Sequence, residues 1–139
     1  MRALVCGGRY FANIPYHVGD TEELQRLLEQ KNRDIKFLMD TLDHQRTTRK
    51  ITSIGNGDAV GADRTSSAWA ELNDIPVDKF PITKGEWVTY GKAAGPMRNA
   101  RMLKVFSPGI VIAFRGGTGT ENMILLAKYA GVEVFRAGT

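Results

Sequence analysis

The residues best suited to chemistry form a glycine-rich turn directly after the most apolar run of the chain, residues 110–114. The turn, residues 116–120, consists of Gly116, Gly117, Thr118, Gly119 and Thr120. Glycine tolerates positive φ and close backbone approach, and N–H groups that open a helix converge where the helix dipole favours an anion. The two threonines add hydroxyl donors. The pattern therefore predicts a phosphate site, and a tight structural turn without a ligand is the alternative.

The spacing of these glycines excludes the two best-known phosphate loops. A Walker A loop carries Gly-Lys-Ser/Thr four residues after a glycine, and the chain has no such sequence. The dinucleotide fingerprint G-x-G-x-x-G would place Gly or Ala at position 122, after Gly117 and Gly119, but Asn122 stands there. Any phosphate site on this turn is therefore of another type.

A second glycine-rich segment, residues 55–63, includes Gly61 and ends in Asp63. Asp63 lies near a predicted helix start, where a carboxylate can cap N–H groups or balance the helix dipole. It can equally accept hydrogen bonds from ribose hydroxyls, as acidic residues do in nucleotide-binding folds. The residues alone leave these two roles open.

Two further segments add charge to the candidate site. Arg98 is predicted in the first turn of a helix, where a cation is unfavourable, so we expect an anionic partner for it; a surface arginine is the alternative. Asn99 can both donate and accept hydrogen bonds, which suits a base or a sugar. Gly8 and Arg9 follow the first predicted strand and complete the set of candidate ligand-binding residues.

Apolar runs alternate with helical patterns along the chain, which is typical of a parallel sheet flanked by helices. We predict strands at residues 3–6, 51–54, 77–80, 110–114 and 132–135, and helices at 20–43, 62–72, 96–105 and 120–129. Residues 46–50 are interpreted as a solvated basic loop and residues 82–95 as a long loop, all within one domain, 1–139. Three of the four glycine clusters follow predicted strands, so they should meet at one edge of the sheet.

Composition excludes several other classes of protein. Of the 139 residues 15 are glycine, but eleven of these fall in four clusters and 42% of residues are hydrophobic, which excludes low-complexity disorder. The single cysteine, Cys6, and the isolated His17 and His44 indicate no metal site, and we expect no cofactor. No apolar run is long enough to cross a membrane, and the default location is the reducing cytoplasm. A net charge of +4 suits an anionic small molecule better than nucleic acid.

Four motifs in one order resemble the SLOG superfamily (Smf/DprA and LOG proteins), in particular its YspA or cpYpsA-related branch. They are Gly7-Gly8-Arg9, Gly61-Ala62-Asp63 with Trp69-Ala70, Ala94-Gly95-Pro96-x-Arg98-Asn99-x-x-Met102, and Ala113-Phe114-x-Gly116-Gly117-x-Gly119-Thr120. The resemblance covers nearly the whole chain. It implies a Rossmann-like three-layer α/β/α sandwich with a mostly parallel sheet of about five strands, a nucleotide or nucleotide-derived ligand at the strand carboxyl ends, and assembly as a dimer.

The LOG enzymes of this superfamily cleave the N-glycosidic bond of a nucleoside 5′-monophosphate. Arg98 matches their Arg-Lys-x-x-Met motif, although Asn99 replaces the lysine. In their Pro-Gly-Gly-x-Gly-Thr-x-x-Glu motif, Arg115 replaces the proline and Met123 the glutamate. Glu121 is two positions early, which turns it about 200° around a helix. If the chain is an enzyme, the catalytic candidates are Arg98 and, as a surrogate carboxylate, Asp63.

Three functional hypotheses follow. The leading one is binding of a nucleotide or nucleotide-derived small molecule through the 116–120 turn, by a protein that forms a homodimer. The alternative is a phosphoribohydrolase of the LOG kind. A third is binding of single-stranded DNA, against which the small net charge argues.

Overall fold

The computed structural model of this chain describes residues 1–14 and 16–138. Its centre is a five-stranded parallel sheet in the order β3-β2-β1-β4-β5. The strands are β1 (Arg2–Cys6), β2 (Ser53–Asn56), β3 (Val77–Lys79), β4 (Ile110–Ala113) and β5 (Glu133–Arg136). The helices are α1 (Thr21–Arg49), α2 (Ala62–Leu72), α3 (Lys84–Tyr90), α4 (Ala94–Phe106) and α5 (Thr118–Tyr129), with a 3-10 turn at Gly91–Ala93.

Successive side chains of the central strands point into two separate cores. Ala3 and Val5 pack with residues of α1 and α2, whereas Leu4 pairs in register with Val111 and packs with residues of α4 and α5. Because strand side chains alternate between the two faces, β1, which is apolar from Ala3 to Cys6, is covered by helices on both sides. The predicted Rossmann-like α/β fold with a mostly parallel sheet is confirmed.

The first helix is longer than the sequence predicts. It continues to Arg49, so the prediction of a basic loop at residues 46–50 is wrong. Gln45 is buried and extends the inward-facing stripe of Leu38 and Leu42. The basic residues Arg46 and Arg49 therefore lie in the last turn, where the helix dipole favours cations.

The interpretation of residues 82–95 as a loop is also wrong, because α3 and the 3-10 turn lie within them. A capping box starts α3: the Thr83 hydroxyl accepts from the Glu86 N–H, and the Glu86 carboxylate accepts from the Thr83 N–H. None of the residues of α3, all of which are described, is buried. Because no face of α3 is buried, its apolar residues do not recur at helical spacing. Hydrophobic periodicity therefore does not predict this helix.

Three boundaries shift in ways that affect the site. Helix α4 begins at Ala94, so Arg98 lies beyond its first turn and the expected cost of a cation there does not apply. Helix α5 begins at Thr118, two residues earlier than predicted. Strand β2 runs two residues further than predicted, which places Gly55 in the sheet, paired with Leu4. In the described part of the chain, no helix has the length and apolar character to span a membrane.

Candidate functional site

The turns that follow β1 and β4 touch at the carboxyl edge of the sheet. From β1 the chain crosses to β2 on one side, and β4 is the neighbour on the other, so the strand order changes direction at β1. Open parallel sheets bind ligands at such a switch point. The Gly8 N–H donates to the Arg115 carbonyl at 2.9 Å, and a side chain at Gly8 would lie 2.9 Å from the Gly116 Cα. The contact therefore requires glycine at position 8.

A cavity of about 750 Å³ opens at this edge, between the β1 and β4 turns and the segment from α3 to α4. Ten of the eleven predicted ligand-binding residues line it: Gly8, Arg9, Asp63, Arg98, Asn99, Gly116, Gly117, Thr118, Gly119 and Thr120. Gly61 does not, because it lies behind the β1 turn with its Cα against the Gly8 carbonyl oxygen. The structure thus brings the candidates together, and their binding of a ligand stays a prediction.

The amino end of α5 faces the cavity without an internal cap. The residue before it is Gly117, so no side chain is available there to accept from the first N–H groups. Within residues 1–14 and 16–138, the N–H groups of Thr118, Gly119 and Thr120 donate to no acceptor. A Cβ atom added at Gly117 or Gly119 would have no neighbouring atom within 4 Å, so no other residue covers this end of α5. Unsatisfied donors and the positive end of the helix dipole together provide the electrostatic conditions that favour an anion.

Asp63 is buried at the start of α2 and lines the cavity. Its Oδ2 accepts from the Gly57 N–H at 3.1 Å and the Ala59 N–H at 3.2 Å. Burial raises the pKa of this carboxyl to about 6, against the opposing effect of those hydrogen bonds and of the Arg98 charge. No fully buried side-chain oxygen in the described chain lacks a partner, and Oδ1 makes no hydrogen bond there, so Oδ1 is not fully enclosed.

Arg98 joins three segments at the wall of the cavity. Its Nη1 donates to the carbonyls of Gly57 at 2.9 Å and Phe80 at 3.0 Å, and its Nε donates to Asn99 Oδ1. Burial lowers the pKa of this guanidinium, and the nearby carboxylate of Asp63 opposes that change. Its Nη2 donates to no acceptor within the described residues, so the N–H groups of this nitrogen are unpaired there.

Asn99 lines the cavity as predicted, but its side-chain amide is engaged in hydrogen bonds within the protein. Its Nδ2 donates to the Gly119 carbonyl at 3.2 Å and to Asn122 Oδ1 at 3.0 Å. Both amide hydrogens are therefore used to hold α4 against the first turn of α5. The side chain is buried, and it positions the 116–120 turn instead of offering free donors to a base.

Arg115 has a partner that the sequence does not predict. The guanidinium forms an ion pair at 2.9 Å with Asp34, which is buried in the middle of α1, and it stacks 5.2 Å over the Phe11 ring. The Arg115 hydrogen bond helps to hold the pKa of Asp34 below its ordinary value, against the effect of burial. A buried acid in line with Leu38 and Leu42 on one helix face is the only signal that could have pointed to this pair.

The carboxylate that a LOG-type glycosidase would carry is missing from the expected place. Met123 is buried and lines the cavity at that position. Glu121 is turned to the surface, where it forms two hydrogen bonds with Arg136. Among the described residues, Asp63 is the sole carboxylate that lines the cavity.

No family model matches this chain, and no curated protein or solved structure matches it significantly. The resemblance to the SLOG superfamily therefore rests on the four motifs alone.

Proposed function

We propose that the protein binds a nucleotide or a nucleotide-derived small molecule, with a phosphate on the 116–120 turn. The observation that carries the proposal is the uncapped amino end of α5, whose free N–H groups open into a cavity of about 750 Å³. A dianionic phosphate supplies the acceptors that these donors lack, and helix amino ends with free N–H groups bind phosphates in many folds.

The charges around the cavity favour an anion. Arg9 and Lys92 line it and form no ion pair within the described chain, and Arg98 presents its free Nη2. Among the described lining residues, Asp63 is the single opposing carboxylate. These cations outnumber the one carboxylate, so they repel one another, and a bound phosphate relieves that repulsion.

The Oδ1 oxygen of Asp63, which is not fully enclosed, suits the sugar of the same ligand. A carboxylate oxygen accepts hydrogen bonds, and ribose hydroxyls are donors of the right kind. Because Oδ2 is held by the N–H groups of Gly57 and Ala59, the direction of Oδ1 is set before a ligand arrives.

Calorimetry with the four common nucleoside 5′-monophosphates, the matching nucleosides and inorganic phosphate tests this function. We expect at least one monophosphate to bind tenfold or more tightly than its nucleoside, because each charge-assisted hydrogen bond to phosphate contributes about 1.5–3 kcal/mol. Equal affinity for nucleoside and nucleotide would contradict the proposal that the 116–120 turn binds a phosphate.

Replacement of Arg9 by glutamine should weaken binding of that monophosphate about tenfold, by the loss of one charge-assisted contact. The free energy of unfolding should stay the same, since the Arg9 side chain makes no hydrogen bond or ion pair within residues 1–14 and 16–138. Arg26→Gln, an exposed arginine of α1 outside the cavity, is the matched control. Unchanged calorimetric affinity of Arg9→Gln would exclude Arg9 from the site.

Membership of the SLOG superfamily, a homodimeric state and a cytoplasmic location are proposed on the four motifs and the composition. Sedimentation of the purified chain tests the dimer directly. A monomer at all concentrations would contradict that part of the proposal.

Hydrolysis of the N-glycosidic bond of a nucleoside 5′-monophosphate is the second candidate. It is favoured by Asp63, a cavity carboxyl with an oxygen that is not fully enclosed and a pKa of about 6, near the range that general acid–base chemistry needs. The water oxygen would bond to C1′ as the bond from C1′ to the base breaks. One proton of the water goes to the leaving nitrogen, so the products are ribose 5-phosphate and the neutral free base.

Chromatography for free base after incubation with each monophosphate distinguishes the two functions. If there is turnover, Asp63→Asn should lower it about a hundredfold or more, because the neutral amide cannot accept a proton from water. Asp58→Asn, on the same turn but outside the cavity, should keep the activity. Saturable binding without release of base would leave the binding function and exclude the hydrolase.

A further inference from the structure

One side of the cavity is apolar and aromatic. Ile82, Trp87 and Pro96 line it, and all three come from the short stretch between β3 and the second turn of α4. Strand β3 is three places from β4 in the sheet, which is about 14 Å at the ordinary strand spacing. The aromatic segment and the 116–120 turn thus reach the cavity from different strands.

Trp87 keeps 43% of its surface exposed although it lines the cavity. No residue of α3, a fully described helix, is buried, so the indole is not a core side chain. Trp69, by comparison, is only 1% exposed. An open indole face beside a cavity is favourable when a second planar ring covers it, because aromatic pairs gain from both stacking and apolar burial.

The other aromatic side chains at the cavity are less suited to stacking on a ligand. Phe11 is buried, packs on Phe114 and is covered by the Arg115 guanidinium. Tyr10 is exposed, but it follows Arg9 on the β1 turn, beside the 116–120 turn. Trp87 is therefore the aromatic group that stands apart from the proposed phosphate position.

The helix turn that precedes Trp87 is anchored to α4 through Glu86. Glu86 closes the capping box with Thr83 and also accepts from Arg101 of α4 at 3.0 Å. These contacts hold the first turn of α3 on α4. The backbone that carries Trp87 is therefore ordered before a ring stacks on the indole, which lowers the entropic cost of binding.

We propose that Trp87 stacks on the base of the ligand and makes the protein selective for nucleotides over sugar phosphates and inorganic phosphate. This inference rests on the proposed phosphate-binding function and adds the aromatic base as the second recognised group. Sugar phosphates would reach the 116–120 turn but leave the indole uncovered.

Tryptophan fluorescence reports on this contact directly, since the chain has two tryptophans in different surroundings. Trp69 is buried, and its indole N–H donates to Asp43 Oδ1 at 2.8 Å. Of the two tryptophans, Trp87 is the one that lines the cavity. We expect the monophosphate that binds most tightly in calorimetry to quench the emission, ribose 5-phosphate to bind without quenching, and Trp87→Phe to abolish the quenching.

Affinities complete the test. Trp87→Ala should weaken nucleotide binding about tenfold or more, the usual effect of losing one base-stacking side chain, and leave ribose 5-phosphate binding within about twofold. Tyr90→Ala, on the same helix but outside the cavity, is the matched control and should change neither affinity. Thermal melting of each variant establishes that it is folded, and Trp87→Phe should retain nucleotide binding because a phenyl ring still stacks.

The possible failures are distinguishable. If a monophosphate binds in calorimetry but ribose 5-phosphate binds as tightly, or Trp87→Ala lowers both affinities equally, Trp87 does not contact a base and the phosphate site stands. If Trp87→Ala changes only the sedimentation behaviour, the side chain is a subunit contact and the inference is wrong. If no nucleotide binds, the proposed function and this inference both fail.

Discussion

Replacement of Gly61 by alanine is expected to lower the free energy of unfolding by about 3 kcal/mol or more. Gly61 has φ +92° and ψ −129°, a backbone conformation that residues with a side chain rarely adopt. A Cβ there would overlap the Gly8 carbonyl oxygen and lie 2.9 Å from the Phe11 carbonyl oxygen. Both atoms belong to the backbone of the β1 turn, so neither can move without shifting that turn.

Urea denaturation of Gly61→Ala beside Gly117→Ala measures this effect. Gly117 has φ −110°, and a built side chain would meet nothing within 4 Å, so its replacement should change stability by less than about 1 kcal/mol. If the two variants unfold at the same urea concentration, the close contact between Gly61 and the β1 turn does not exist in solution. A destabilised but folded Gly61→Ala protein is expected to bind nucleotide weakly, since Gly8 lines the cavity.

The second large effect concerns Asp63 and pH. The pKa of this carboxyl is about 6 in the folded protein and near 3.8 in the unfolded chain, because burial disfavours the charged form. Between about pH 4 and 6 the folded state therefore binds the proton that the unfolded state releases. The contribution of Asp63 to stability is largest below this window and falls as the pH rises through it, by roughly 2–3 kcal/mol in total.

Asp63→Asn should abolish this decrease in the free energy of unfolding with rising pH. Its amide oxygen can still accept from the N–H groups of Gly57 and Ala59, and the side chain is neutral at every pH. We expect the variant to match the wild type within about 1 kcal/mol at pH 4 and to exceed it by roughly 2–3 kcal/mol at pH 7. Other carboxyls, such as Asp34, titrate alike in both proteins and cancel in the difference. Parallel stability curves for the two proteins from pH 4 to 7 would contradict the raised pKa.

Local patterns in the sequence were sufficient for the sheet and for most of the cavity. The apolar run before residues 116–120 predicted β4, and the helix predicted at residues 62–72 is confirmed as α2 (Ala62–Leu72). The glycine clusters after β1 and β4 lie together, as expected, because carboxyl ends of parallel strands share one edge of a sheet. These features depend on residues within a few positions of one another, which is the range that periodicity and turn chemistry describe.

The roles of individual side chains required the tertiary structure. Arg98 binds the Gly57 carbonyl, 41 residues away in the chain, and Arg115 binds Asp34, 81 residues away. Sequence analysis predicted an anionic partner for Arg98, but only the folded chain shows that Arg115 is paired with Asp34 of α1 and that the Nη2 of Arg98 is unpaired among the described residues.

The amino-acid sequence by itself thus determined the class of fold and the edge of the sheet where the turns after β1 and β4 meet, and it predicted an anion site at the amino end of α5. The tertiary structure decided that Gly61 is a packing position, that Asn99 holds α4 to α5, and that Trp87 lies at the cavity. The physical reason is that hydrogen-bond partners and close backbone contacts are set by which distant segments pack together. Composition, residue spacing and hydrophobic periodicity do not specify which distant segments pack together.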